Sequence, residues 1–304
     1  MAMLHRLILP IFTAVFLTAC GQSANTAPVD IVQPDDPSPA LWEISSKGQP
    51  SYLFGTVHIL PENIAWQDNV VDAAIARADH LILELDPAET PERIGDIFTV
   101  MATTPGQPPL KNRIDTDLHD EAADIMQEYS LPASLFANVE SWGAALMISS
   151  SLSGKTGARG EFGVEEILTS AFRKNGRHIS GLESATQQFG YFDGLSESDQ
   201  RAMLEAVIDG ADESAANYKR LLESWLTGDT KMLETILAQG FDSRPSIRKA
   251  VVTARNRDWA EQIAGKLESG GSIYFIAVGA GHFTGPDSLQ KLLTEKGYTV
   301  KRLQ

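Results

Sequence analysis

The sequence predicts an α/β fold with a mixed central β-sheet assembled from both chain ends, flanked by helices and interrupted by a largely helical middle. Two observations predict it. Apolar runs of strand length and strand composition sit near both ends, and the stretch between them repeats its apolar residues at helical spacing. No internal repeat marks a solenoid, and no linker is evident after residue 40.

Ahead of the folded part, residues 1–19 read as an export signal. Arg6 supplies positive charge, and residues 7–17 are apolar but too short for a bilayer span of about 20 residues. Leu17-Thr18-Ala19-Cys20 matches a lipobox, and Cys20 is the only cysteine among 304 residues. An ordinary cleaved signal is the alternative. The lipoprotein reading makes Cys20 the site of lipidation and leaves no cysteine for a disulfide, a thiolate nucleophile or a Cys-zinc site. Gly21 in place of Asp favours the outer membrane of a Gram-negative cell, with the protein anchored there and facing the periplasm. Residues 20–39, rich in proline, read as a tether that lifts the domain at most about 60 Å from the bilayer.

The formal net charge is −15, and loss of Arg6 with the signal removes one further positive charge. That balance opposes binding to nucleic acid or to anionic headgroups, so membrane attachment must come from the lipid. Residues 40–304 are expected to form the functional domain.

Within it, 41–44 and 52–54 flank a turn-rich segment and predict a hairpin. Residues 66–79 predict a helix with Val70, Val71, Ala74, Ile75 and Ala78 on one face. His80 to Leu85 reads as a buried strand closed by Asp86-Pro87. Helical patterns follow at 91–102, 117–129 and 131–152, then a Gly-rich loop at 154–163 and a helix at 164–174. Residues 178–182 predict a strand, 197–227 a mostly helical stretch, and 229–239 and 245–268 further helices. Ser272 to Val278 is a strand, 286–296 a helix, and 298–303 a last strand.

Two segments share one design. Ser51-Tyr52-Leu53-Phe54 runs into Gly55-Thr56-Val57-His58, and Ile273 to Val278 runs into Gly279-Ala280-Gly281-His282. Glycine at a strand end lets the backbone bend or approach a ligand, with an imidazole just past the sheet edge where α/β folds bind ligands. Glu84 stands in a third apolar strand, where a charge is costly unless paired or metal-bound. Two histidines and a carboxylate suit a divalent cation, although a lone Gly-x-x-His is equally a polar loop tip. Glu183 ends a fourth strand and is equally explained as a helix N-terminal carboxylate. Arg255 sits one turn from Val251 and Trp259, pointing inward or snorkelling. His80, His119 and His178 show no comparable partners and read as structural or exposed. No Walker A loop, GxSxG elbow or HExxH helix occurs.

In order along the chain, LWEI…SYLFGTVHIL, ADHLILELD, GVEEILTSAFRKNGRHISGLES, ARNRDWAEQI and IYFIAVGAGHFTGPDSLQKLLTEKGYTVKRL resemble the TraB/GumN family, which includes the Tiki metalloproteases. The resemblance covers most of residues 40–304. It implies the mixed-sheet fold of the related erythromycin esterase-like and ChaN-like proteins, and a divalent-metal hydrolase using Mn²⁺, Co²⁺ or Zn²⁺. It further implies His58, Glu84 and His282 as the metal or catalytic core, with Glu183 and Arg255 beside them. Glu84 or Glu183 is then the general base, whichever is not a ligand, and Arg255 the oxyanion stabiliser. Where many relatives have Gly-Val-Asp, this chain has Gly163-Val164-Glu165, so position 165 is given no catalytic role. Peptides, or small esters and amides, are the implied substrates. A non-catalytic lipoprotein binding haem, a peptide or a signalling molecule is the competing function, and an envelope scaffold a third. Labelled palmitate should enter the wild-type chain but not Cys20→Ser, and the mature chain should begin at residue 20; a mature chain retaining Met1 would remove the lipoprotein reading.

Overall fold

Short apolar strands separated by amphipathic helices must stack their strands in one sheet and lay the helices over both faces, because neither element hides its apolar side alone. The computed structural model describes residues 29–45, 50–239 and 244–304. The signal segment, Cys20 and residues 21–28 lie outside the described residues.

The strands are β1 (Leu41–Ser45), β2 (Ser51–Thr56), β3 (His80–Leu85), β4 (His178–Glu183), β5 (Tyr274–Gly279) and β6 (Thr299–Arg302), ordered β4-β3-β5-β2-β1-β6. β1 and β2 form the expected antiparallel hairpin, with Leu41 opposite Phe54 and Ile44 opposite Ser51. β2, β5, β3 and β4 are mutually parallel, and every residue of β2 and β5 is buried, as a strand covered on both faces requires. β6 closes one edge antiparallel to β1, presenting exposed Lys301 and Arg302 that discourage further pairing. The sheet is a mixed α/β sheet drawn from both chain ends, with β3 and β4 contributed from between them.

The helices are α1 (Asn69–Arg77), α2 (Pro91–Met101), α3 (His119–Glu128), α4 (Ser141–Ser153), α5 (Val164–Lys174), α6 (Ala185–Asp193), α7 (Glu197–Asp209), α8 (Ser214–Leu226), α9 (Thr230–Gln239), α10 (Pro245–Arg248), α11 (Arg255–Ser269) and α12 (Leu289–Glu295). Strand alternation sorts them. Leu81 and Leu83 of β3 pack with residues of α1, α5 and α8, while Ile82 packs on the opposite face with Trp259 and Ile263 of α11. A further apolar cluster, built on Trp142, Phe189 and Leu204, holds the helical middle together.

Four expectations change. The pattern over 131–152 is two pieces, a short 3-10 turn at Ala133–Phe136 and then α4, because Glu140 N–H donates to the Ala102 carbonyl and pins the chain between them. The stretch 197–227 breaks at Gly210 into α7 and α8. Helix α6 was not foreseen. Its signal is Ser184-x-x-Gln187, which forms a capping box satisfying two backbone N–H groups at the helix start. Finally, residues 29–39 are not a free tether. Val29 N–H donates to Thr156 O (3.2 Å), Val32 N–H to Glu223 (2.9 Å) and Ser38 N–H to Leu226 O (2.8 Å), so this segment is laid against α8 and its neighbours.

Gly163 marks the tightest junction. Val164 N–H donates to Val57 O (3.2 Å), and a Cβ on Gly163 would overlap the His58 carbonyl oxygen. Gly163→Ala should therefore lower unfolding stability by about 1–3 kcal/mol. Gly160→Ala, where a Cβ meets nothing, is the control. Equal urea midpoints for the two variants would show that the junction yields freely.

Candidate functional site

Strand register alone brings the motif residues to one edge. Gly55 of β2 lies opposite Val278 of β5, and Thr56 opposite Gly279, so the two Gly-x-x-His segments leave neighbouring parallel strands side by side. A Cβ on Gly55 would come within 3.1 Å of Ala280 Cα, so that close approach needs glycine. On the other side of β5, Leu83 of β3 pairs with Ala277, and beyond it Leu85 pairs with Glu183 of β4. His58, His282, Glu84 and Glu183 thus stand at the carboxyl ends of four adjacent strands.

Arg255 ties the acidic half together. Its guanidinium donates from Nη2 to Glu84 Oε2 (2.6 Å), and from Nη2 and Nε to the two oxygens of Glu183 (2.6 and 3.2 Å). The arginine expected to point inward or snorkel is turned fully inward, 2% exposed. The preceding segment, Lys249–Ala254, is a π-helical stretch, a form often found at functional sites. Arg255 Nη1 donates to the Val251 carbonyl one turn back (3.3 Å), and the side chain lies over the Trp259 ring (4.5 Å). Glu183, a candidate base by sequence, is instead the bidentate partner of Arg255 and also accepts from Gln188 (3.0 Å).

His282 is held in one tautomer. Asn256 donates its amide N–H groups to the His282 and Asp287 carbonyls (3.0 and 2.8 Å), so its oxygen must accept from His282 Nδ1 (2.6 Å). The Nε2 lone pair then faces Arg255 Nη1 at 3.2 Å and Glu84 Oε1 at 3.7 Å. Burial, then the Arg255 charge, lowers the His282 pKa to about 3, keeping the ring neutral.

His58 is held from the other side by a residue the sequence left without a role. Glu165, at the start of α5, meets His58 Nδ1 at 2.6 Å and also accepts from the Thr56 hydroxyl. Both contacts use Oε1. His58 and Glu165 are 22% and 21% exposed, against 8% for Glu84, so the cluster opens to solvent on their side. Sequence reasoning missed Glu165 because nothing local shows that Gly163 docks on the His58 carbonyl.

Glu84 links the halves. Its Oε1 accepts from Gly279 N–H (2.6 Å), and a Cβ on Gly279 would lie 3.0 Å from that oxygen and 3.2 Å from His58 Nε2. Burial favours its neutral form but is outweighed by Arg255 and the two histidines, so its pKa falls to about 2. Burial likewise opposes a charged His58, yet Glu165 and then Glu84 overcome it and raise that ring to about 9. Burial raises Glu183.

Two imidazoles with their far nitrogens fixed by acceptors, flanking an ionised carboxylate, have the donor chemistry of a divalent-cation site once an ion displaces the His58 Nε2 proton. Among the described residues, no three such donors already form a cage. Arg255 takes one oxygen of Glu84 and faces His282 Nε2, so an ion and the guanidinium compete for the same donors. Cys20, the expected lipidation site, lies outside the described residues.

The family model for TraB/PrgY/gumN proteins matches residues 40–302. The chain belongs to the TraB/PrgY/gumN family. Among its relatives are the uncharacterized protein YbaP of Shigella flexneri and of Escherichia coli K12, each 24% identical over 80% of this chain and 87% of the relative. A metalloprotease TIKI homolog of Amphimedon queenslandica is 24% identical over 86% of this chain and 61% of its own length. No solved structure gives a significant match. The family match begins one residue before β1 and ends in β6, enclosing every strand that forms the site.

The shifted groups predict how stability depends on pH in the metal-free protein. His58 is raised, so its contribution is complete below pH 6.5 and disappears as pH climbs toward 9. His282 is lowered, so below pH 6.5 the unfolded chain gains a proton that the folded one refuses, and stability falls toward pH 3. Glu84 adds to the acid loss between 4.5 and 2. Urea midpoints should therefore decline on both sides of pH 6.5, and Glu165→Gln should flatten the alkaline limb alone. An alkaline limb unchanged in that variant would show that Glu165 does not hold the His58 proton.

Proposed function

We propose that this cluster is the active site of a metal-dependent hydrolase that cleaves peptide bonds, or ester and amide bonds of small molecules. The observation that carries it is the pair of imidazoles, each fixed at Nδ1 (by Glu165 and by Asn256), presenting Nε2 beside Glu84. A TIKI metalloprotease homolog among the relatives supports the hydrolytic class.

His58 Nε2, Glu84 and His282 Nε2 would hold a divalent cation such as Mn²⁺, Co²⁺ or Zn²⁺, which acidifies a water and polarises a carbonyl. Glu165 orients His58 and, on the side of the cluster that reaches solvent, is the carboxylate placed to take a proton from an incoming nucleophile. Glu84 and Glu183 are both committed to Arg255. Arg255 keeps Glu84 ionised, and its Nη1, now facing His282, can turn a donor toward negative charge developing on a substrate oxygen. The same reading anchors the protein through Cys20 at the cell envelope, on the periplasmic side of the outer membrane. Among the described residues no helix is long and apolar enough to cross a membrane.

Hydrolysis of a peptide library and metal content should be measured together. His58→Ala and His282→Ala should lose both metal and turnover while still unfolding in one cooperative transition, at a lowered midpoint. Glu165→Gln should lower the rate by about 10²-fold or more with metal retained. Arg255→Lys keeps the charge without the planar fork and should also cut turnover with metal retained. Full activity in metal-stripped His282→Ala would sink the metallohydrolase, and a Soret band on adding haemin, with no turnover, would favour a binding protein.

A further inference from the structure

A second pair of imidazoles stands at the other end of the same sheet. His80 opens β3 and His178 opens β4, and the two are direct partners in the parallel ladder. Direct partners point to the same face, and their rings lie 4.7 Å apart between centroids, tilted by 57°. On its other side His80 stacks on Tyr274 of β5, 5.6 Å away and nearly coplanar at 8°, which fixes the ring. Its Nδ1 is covered and has no hydrogen-bond partner among the described residues, an unmet polar valence. Asp79, the nearest acid, already accepts from Ile273 N–H.

We propose that His80 and His178 form a separate cation site that takes one borderline transition-metal ion, Zn²⁺, Ni²⁺ or Cu²⁺, with water completing its coordination. Nitrogens at about 2.0–2.1 Å from one ion put two ring centres roughly 4.5–5.5 Å apart, and the observed spacing falls inside that range. Imidazole is the ligand such ions share, whereas Mg²⁺ and Ca²⁺ prefer oxygen. Burial, then His178 and Lys266, against Asp79, push His80 below its ordinary value, which favours the neutral ring with one nitrogen able to ligate. The strongly acidic chain raises the local cation concentration. His80 lies four residues from Glu84 on the same strand face, roughly 13 Å away, too far for the two sites to share an ion.

The test is calorimetric titration of the purified full chain with Ni²⁺ and Zn²⁺, in wild type and in His58→Ala, which silences the hydrolytic cluster. One equivalent should persist in His58→Ala. Adding His178→Ala, an exposed position whose loss leaves the sheet intact, should weaken that equivalent at least about tenfold, and His80→Asn should do the same. Bound Cu²⁺ should show two imidazole nitrogens by electron paramagnetic resonance in His58→Ala, and fewer once His178 is gone. His178→Ala alone should retain wild-type hydrolysis. If the hydrolytic cluster binds no metal at all, wild type and His58→Ala will titrate alike, and the equivalent will still vanish with His178. Binding unchanged within twofold in His178→Ala/His58→Ala, or no equivalent in His58→Ala, overturns the second site.

Discussion

The buried guanidinium of Arg255 is the interaction around which the site is organised. Two carboxylates, Glu84 and Glu183, end neighbouring parallel strands with 8% and 1% of their side chains exposed, and neither is tolerable there as an unpaired charge. One planar fork serves both, binding Glu183 through two nitrogens and Glu84 through a shared one. Removing it would strand two charges, a loss of about 3–5 kcal/mol for a broken buried pair. Such a cluster adds little net stability over a well-packed apolar one.

The scaffold explains why the partners can meet. A parallel sheet aligns the ends of its strands, so residues distant in sequence emerge at one edge without any special loop. β2 and β5 carry the two histidines on adjacent strands, and the glycines permit their close approach. α11 lies across the same edge and delivers three groups from a single turn and a half. Arg255 reaches the carboxylates, Asn256 fixes the His282 tautomer, and Trp259 lies against both the guanidinium and the His282 ring, 4.4 Å from the latter. The π-helical stretch just before Arg255 is the local irregularity that accompanies this aim.

Charge divides the cluster into two functional halves. The interior half sets one guanidinium against two carboxylates and is closed, while the His58–Glu165 half reaches solvent. The Glu165 carboxylate meets the imidazole at 2.6 Å because Gly163 lets the α5 start sit directly on the His58 backbone. Position 165 therefore keeps a carboxylate in contact with the imidazole, which the sequence alone does not show.

By itself the sequence determined the element types, the hairpin, the strands drawn from both ends, and the two Gly-x-x-His motifs with Glu84, because these are written in local periodicity and in charges placed within apolar runs. The family resemblance placed Glu183 and Arg255 beside the site, but the residues alone left open whether Arg255 faced inward. Tertiary structure decided the rest. Strand order cannot be read from periodicity, so only the folded sheet shows that β4 and β3 extend the row begun by β2 and β5. Glu165, Asn256 and the His80–His178 pair look like ordinary polar positions in sequence, since each acquires its meaning from a partner in another element. The docking of residues 29–39 against α8 is hidden for the same reason: proline-rich composition disfavours helix and sheet, but it does not forbid backbone hydrogen bonds to a surface already folded.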